Sequence, residues 1–186
     1  MNRRTAIAGG LAATAAAWAA GAAAQRAYTI PQDHLPKMVP VSEEYQPGEI
    51  HVDPWRYFLY WVTEERRAVR YVIGVARASL YEPGVYTVGA KREWPSWRPT
   101  DEMIERDPEA YEQYKDGMPG GPNNPLGARA LYLFEGQRDT YLRIHGTPEP
   151  WTVMSSRSNG CVRLINSHIE HLYTLVPNGT RVTLHG

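Results

Sequence analysis

What most limits the architectures open to this 186-residue chain is a series of short runs dense in Val, Ile, Tyr, Trp and Leu, cut apart by Gly, Pro, Asn and Asp. Branched and aromatic side chains suit a pleated, half-buried surface, and the punctuating residues suit turns. From Gly48 the runs read as strands: Ile50-His51-Val52, then Tyr57 to Thr63, then Ala68 to Ala76 across the charged Glu64-Glu65-Arg66-Arg67. Val85 to Ala90 follows a Pro83-Gly84 turn, Arg129 to Phe134 and Tyr141 to His145 flank Glu135-Gly136-Gln137, and Arg181 to Leu184 comes after Pro177-Asn178-Gly179-Thr180. Ser167-His168-Ile169-Glu170 fits a capping box that opens a short helix through Leu175. The expected fold is mainly β (β-rich α+β), a mixed sandwich or collapsed barrel with short peripheral helices.

The N-terminus has a different character. Met1 to Ala24 joins Asn2-Arg3-Arg4-Thr5 to an Ala/Gly-rich apolar run that ends Ala22-Ala23-Ala24. A charged start, an apolar middle and a small-residue cleavage site read as an export signal. The twin arginines suggest the Tat route with Sec as rival, and an uncleaved anchor is the competing reading. Residues 25–46 are Pro-rich without periodicity and read as an extended lead-in, leaving 47–186 as one domain.

Charge narrows the partners. The whole chain is formally neutral; Arg3 and Arg4 are the only charges in residues 1–24, so the remainder carries −2. No basic face for nucleic acid is expected from that balance. Signal removal would leave no segment for stable membrane insertion.

Trp94-Pro95-Ser96-Trp97 and Asp101 to Asp116 form the largest insertion, with seven acidic residues against Arg106 and Lys115. Either it is a lid whose tryptophans stack on sugar or peptide, or Asp101 to Tyr114 is a solvated helix pinned by two aromatic anchors. Met118 to Gly127 is an irregular loop lacking the Gly-Lys-Ser/Thr of a phosphate cradle. His168 and His171 lie three apart with no third ligand nearby, so they read as surface histidines, and neither metal nor cofactor is called for. His51 has no acidic or thiol neighbour at a useful spacing and reads as structural.

Residues 144–164 concentrate the chemistry. They hold the chain's one cysteine, Cys161, and His145 upstream of it, with a Pro-, Ser- and Asn-rich run between. A thiol needs a base before it attacks anything at neutral pH, and His145 is the candidate. His145 would end a strand, with Gly146 allowing a sharp departure so that the loop folds back and brings Cys161 beside the imidazole. Gly160 permits a backbone shape closed to other residues, and its amide and that of Cys161 would then converge as an oxyanion hole. The competing reading is a buried, inert Cys and a hydrogen-bonded core His. An exported chain with one Cys forms no internal disulfide, and an unused thiol is a liability in an oxidising compartment, which favours the chemical reading.

His145-Gly146-Thr147 followed by Ser158-Asn159-Gly160-Cys161-Val162-Arg163-Leu164 resembles the signature of the L,D-transpeptidase catalytic domain, the YkuD family, which cross-links peptidoglycan. Pro47 to Asp53 with Phe58-Leu59-Tyr60 looks like the family's opening hairpin, and Glu82 to Val88 like its T-P-x-G-x-[FY] turn and strand. Asn124-Pro125-Leu126-Gly127 with Ala130-Leu131-Tyr132 looks like the approach to its catalytic strand. Asn159 stands where many members carry His, so a histidine's substrate contact there is not carried over, while the Cys161–His145 pair is.

The resemblance implies an acyl transfer. Cys161 would be the nucleophile and His145 the general base and acid, attacking the third-position diamino acid of a tetrapeptide stem and releasing D-alanine. Backbone amides around Gly160 would hold the oxyanion, and the Gly146 carbonyl would orient the imidazole. Ser158 would shape the loop through its hydroxyl, and Arg163 would hold a substrate carboxylate or brace the Cys loop. Stem peptides are the implied donor and acceptor. Water instead would make a carboxypeptidase or endopeptidase, and a lipoprotein lysine an anchoring enzyme. A non-catalytic wall-binding module is the farther alternative, and the intact pair argues against it. The export signal, with no wall-anchoring or lipidation motif, makes the periplasm the expected compartment, and a Gram-positive exterior is the alternative.

Overall fold

The apolar runs become strands because each can bury one row of branched or aromatic side chains against the rows beside it. The computed structural model describes residues 28–186, so the export signal read in Met1–Ala24 lies outside the described residues. The lead-in contributes β1 (Lys37–Pro40), and β2 (Ile50–Asp53), β3 (Phe58–Glu64) and β4 (Arg67–Val72) follow as a meander. Next come β5 (Val75–Ala76) and β6 (Gly84–Glu93), then the insertion with α1 (Asp101–Arg106) and α2 (Pro108–Tyr111). The hairpin β7 (Arg129–Glu135) and β8 (Arg138–His145) leads to β9 (Ser156–Ser158), β10 (Val162–Arg163), α3 (Asn166–Leu175) and β11 (Arg181–Leu184).

Nine strands form one mixed sheet in the order β1-β4-β3-β2-β11-β6-β7-β8-β10, and β5 pairs with β9 in a small second sheet. The pairs β11·β2 and β10·β8 are parallel, and the other neighbours in the large sheet are antiparallel. The sheet does not close into a barrel. It folds back until β10 meets the chain leaving β4, where Gly74 and Arg163 exchange two backbone hydrogen bonds of 2.8 Å. Ile50, Val52, Leu59, Tyr71, Leu131 and Ile144 fill the enclosed core.

That fold-back explains one departure from the sequence reading. The run Ala68 to Ala76 is not one strand; it breaks at Ile73-Gly74, where the chain crosses from the large sheet to the small one. A Cβ on Gly74 would sit 3.0 Å from Arg163 Nη2 and 3.3 Å from the Thr152 carbonyl, so the crossing needs the bare backbone.

Two helical expectations are also corrected. Helix α3 starts at Asn166 with Ile165 before it and no side-chain cap, so Ser167 does not close a capping box. A missing cap costs about 1 kcal/mol, whereas fully buried Ile169 and Leu172 contribute about 1.5–3 kcal/mol each; packing on β7 and β8 outweighs the cap. The insertion is not one helix over Asp101 to Tyr114. Thr100 caps α1 and Asp107 caps α2, with the break at Asp107-Pro108 because proline lacks the amide that would continue the first helix. Trp97 alone anchors it, edge-on to Tyr111 and Tyr114 at 6.3 and 5.7 Å, while Trp94 is exposed.

Candidate active site

Strands β8 and β10 run parallel, with Ile144 beside Val162 and His145 beside Arg163. Side chains two apart share a face, so Cys161, immediately before β10, lies on the face that carries Arg163 and His145. His145 and Cys161 both line an open cleft of about 1550 Å³ between the sheet edge and the insertion.

His145 is buried, and its Nδ1 lies 2.6 Å from the Gly146 carbonyl. A carbonyl oxygen only accepts, so Nδ1 carries the proton and Nε2 is left as the acceptor. Burial pushes the imidazole pKa down to about 4; the Gly146 and Leu126 carbonyls oppose the shift, and the Arg163 and Arg143 charges add to it. Cys161 is half-buried on the cleft floor, and its thiol donates to the Tyr141 carbonyl at 3.9 Å. Burial pushes that thiol above its usual range, offset in part by the Arg143 amide and the Arg143 and Arg163 charges. Near pH 7 both groups are therefore neutral, thiol and imidazole facing one cleft.

The supports of the pair come from distant segments. Gly146 gives its amide to the Arg129 carbonyl at 3.0 Å and is backed by Asn166, whose Oδ1 accepts from the Ala128 amide at 3.0 Å and would lie 2.2 Å from a Cβ on Gly146. Tyr141 adopts φ +62, a left-handed shape that costs an L residue about 1–2 kcal/mol, and its ring stands exposed beside the cleft. Arg143 is buried, held bidentately by Asp139 at 2.7 and 2.9 Å and stacked on Tyr132. Burial tends to raise the Asp139 pKa, but the Arg143 hydrogen bonds bring it below the usual carboxylate range.

The remaining predicted residues fall in the Cys loop. Ser158 donates its hydroxyl to the Cys161 carbonyl at 2.5 Å. Gly160 takes φ +138, a region that glycine alone enters freely. Arg163 gives Nη1 to the Thr152 hydroxyl at 2.9 Å and Nη2 to its carbonyl at 3.2 Å, so its contacts brace the loop. Asn159 accepts at Oδ1 from both Arg77 and Arg106, and donates from Nδ2 to Tyr111 Oη at 2.7 Å.

Sequence reasoning missed Asn166, Arg143, Arg77 and Arg106. Arg143 left a signal in Asp139 four residues earlier; the others act across long separations and left none.

Two histidines depart from expectation, while His171 lies on the surface as expected. His51 does have an acidic neighbour: Glu49, two residues earlier, lies 3.1 Å from Nε2, with His185 on Nδ1 and Tyr45 stacked at 3.6 Å. His168 is buried rather than on the surface, with neither ring nitrogen hydrogen-bonded, and burial pushes its pKa down to about 4. His171 is tied to Tyr71 Oη at 2.8 Å. Among the described residues no group of three His, Cys, Asp or Glu side chains is placed to hold a metal, and no helix is long and apolar enough to cross a membrane.

The model of the L,D-transpeptidase catalytic domain family, YkuD, matches residues 47–184. The Escherichia coli K12 protein named "Probable L,D-transpeptidase ErfK/SrfK" is 33% identical over 129 residues, 68% of this chain and 40% of that protein. The chain therefore spans well under two-thirds of that relative's length. A crystal structure described as a probable carnitine operon oxidoreductase from Brucella melitensis is 52% identical, with a TM-score of 0.58, covering 81% of this chain and 93% of that one. L,D-transpeptidase 3 from Mycobacterium tuberculosis shares the fold at a TM-score of 0.54 and 16% identity, over 74% of this chain and 60% of that one.

Proposed function

The chain belongs to the L,D-transpeptidase catalytic domain family, and from that premise we propose that it is a peptidoglycan L,D-transpeptidase working through Cys161 and His145. One observation carries the reading: His145 keeps its proton on Nδ1, against the Gly146 carbonyl, and shares with Cys161 the floor of one open cleft.

Because thiol and imidazole rest neutral, the proton moves as the bond forms. Cys161 Sγ attacks the carbonyl carbon of the third-position diamino acid of a tetrapeptide stem while its proton passes to His145 Nε2. The oxyanion is held by the amides of Gly160 and Cys161, which the φ of +138 at Gly160 allows to converge. The C–N bond to the terminal D-alanine breaks, its nitrogen takes the proton from His145, and a thioester remains. An acceptor amine then attacks that carbon, its proton passes through His145, and Sγ leaves as the restored thiol.

Arg143 and Arg163 lend positive potential beside the developing charges. Asn166, with its Oδ1 on the Ala128 amide, packs against the glycine whose carbonyl orients the ring. Donor and acceptor are stem peptides, with a lipoprotein lysine as another amine of the same chemistry, and the compartment that fits is the periplasm. The oxidoreductase name attached to the Brucella relative is not carried over, because the family match and the Cys–His cleft both support acyl transfer.

Mass spectrometry of the protein incubated with a tetrapeptide-stem muropeptide tests this. A cross-linked dimer with loss of D-alanine, absent in Cys161→Ala, is the expected result. Loss of D-alanine without dimer would make water the acceptor. No turnover by folded protein, with a lipoprotein acceptor also supplied, would sink the reading in favour of a wall-binding module.

A further inference from the structure

Arg77 and Arg106 both donate to one neutral oxygen, Asn159 Oδ1, two residues before the nucleophile. They come from opposite sides. Arg77 follows β5 and its backbone amide bonds the Ser158 carbonyl at 3.1 Å, whereas Arg106 ends α1 on the insertion. Among the described residues neither guanidinium has a carboxylate within ion-pair distance, although the insertion around Arg106 is rich in Glu and Asp. The amide's orientation is settled by its partners: guanidinium groups only donate, so the oxygen faces them and Nδ2 faces Tyr111 Oη.

Two cations meeting on an uncharged acceptor leave a charge uncompensated that a planar carboxylate would match with paired hydrogen bonds. Position selects which carboxylate. Asn159 and Cys161 are separated by at most about 7 Å of chain. A residue expelled from the attacked carbonyl carries its own carboxylate under about 4 Å beyond that carbon. An amidated or extended donor would put a neutral group there instead.

We propose that Arg77 and Arg106 form a carboxylate-binding pair, held by Asn159 Oδ1 until substrate arrives, that reads the free C-terminal carboxylate of the residue leaving the donor peptide. Through Arg106 and Tyr111 the same contact ties the insertion to the Cys loop, so ligand that takes over the arginines also resets the insertion. The donor is thereby measured: a chain ending one residue after the attacked carbonyl is accepted, and one ending two residues after it is not. The choice of peptide rests on the transpeptidase reading, whereas the arginine pair stands on its own geometry.

Three peptides separate the two ideas: the tetrapeptide stem with diaminopimelate at position three, the same with a C-terminal amide, and the same with lysine at position three, which lacks the side-chain carboxylate. Binding is measured by calorimetry on Cys161→Ala, and turnover on the intact enzyme. The acid should bind about 10- to 100-fold more tightly than the amide, as expected for charge-assisted hydrogen bonds. Arg77→Gln and Arg106→Gln, both at exposed side chains, should collapse that ratio towards one. Asn159→Asp places a carboxylate on the pair and should weaken the acid peptide more than the amide, a second arm should either arginine variant misfold. Equal binding of acid and amide, binding of neither, or a loss of binding with the lysine peptide as large as that with the amide would each overturn the proposal. Turnover without acid preference defeats the pair and leaves the transpeptidase; acid preference without turnover does the reverse.

Discussion

Asn166 Oδ1 sits where a side chain on Gly146 would have to go: a Cβ there would lie 2.2 Å from that oxygen and 3.1 Å from Ile169 Cγ2. The glycine that turns its carbonyl to His145 is thus bare because the start of α3 is packed against it.

Gly146→Ala should displace that carbonyl and free the imidazole to rotate. The expected loss is about 10- to 100-fold in kcat with KM little changed, the scale seen when a base loses its orienting partner. Because the worst clash is with the tip of Asn166, adding Asn166→Ala should recover part of the stability lost in Gly146→Ala. A double-mutant cycle by thermal melting reads this, and strictly additive losses would refute the coupling.

Acid should unfold the protein through its buried histidines. His145 and His168 both fall from the ordinary 6.5 to about 4 on folding, so the unfolded chain binds protons first. Stability is complete above about pH 6.5 and is lost as pH falls towards 4, at about 1.4 kcal/mol per pH unit for each histidine. Denaturant melts of His168→Leu between pH 7 and 4 should show a shallower slope than wild type, with His145 and His51, whose pKa burial also lowers, supplying the remainder. The leucine also removes two buried nitrogens that lack partners, so stability at pH 7 should hold or rise.

Alkylation should find an unactivated thiol. With the Cys161 pKa raised by burial, the iodoacetamide rate at pH 7 should be low and should climb only above the usual cysteine range. Replacing Arg163 by Met removes a positive charge and should move the rise to still higher pH. A plateau already reached at pH 6 would mean a resting thiolate–imidazolium pair.

Arg163→Lys keeps the charge but cannot reproduce both contacts to Thr152. A loss of about 1–3 kcal/mol follows from leaving the Thr152 groups short of a donor. Calorimetric unfolding measures it, and an unchanged Tm would show that Arg163 does not brace the loop.

Local pattern was enough to place most of the strands, though not β1, β9, β10 or the break at Gly74, and to single out His145 and Cys161 as the candidate pair, because strand period, turn glycines and a lone thiol with an upstream histidine are properties of short segments. The Gly146 carbonyl came from the family resemblance rather than from pattern, and it meets the ring one residue away at 2.6 Å. Pattern failed where a contact spans the chain. Arg77 and Arg106 reach Asn159 across 82 and 53 residues, and Asn166 reaches Ala128 across 38. Short-range order is written in side-chain type and spacing, which any reader of the chain can see. Which arginine meets which asparagine depends on how a nine-stranded sheet folds back at Gly74 and Arg163, and only the packed structure decides that.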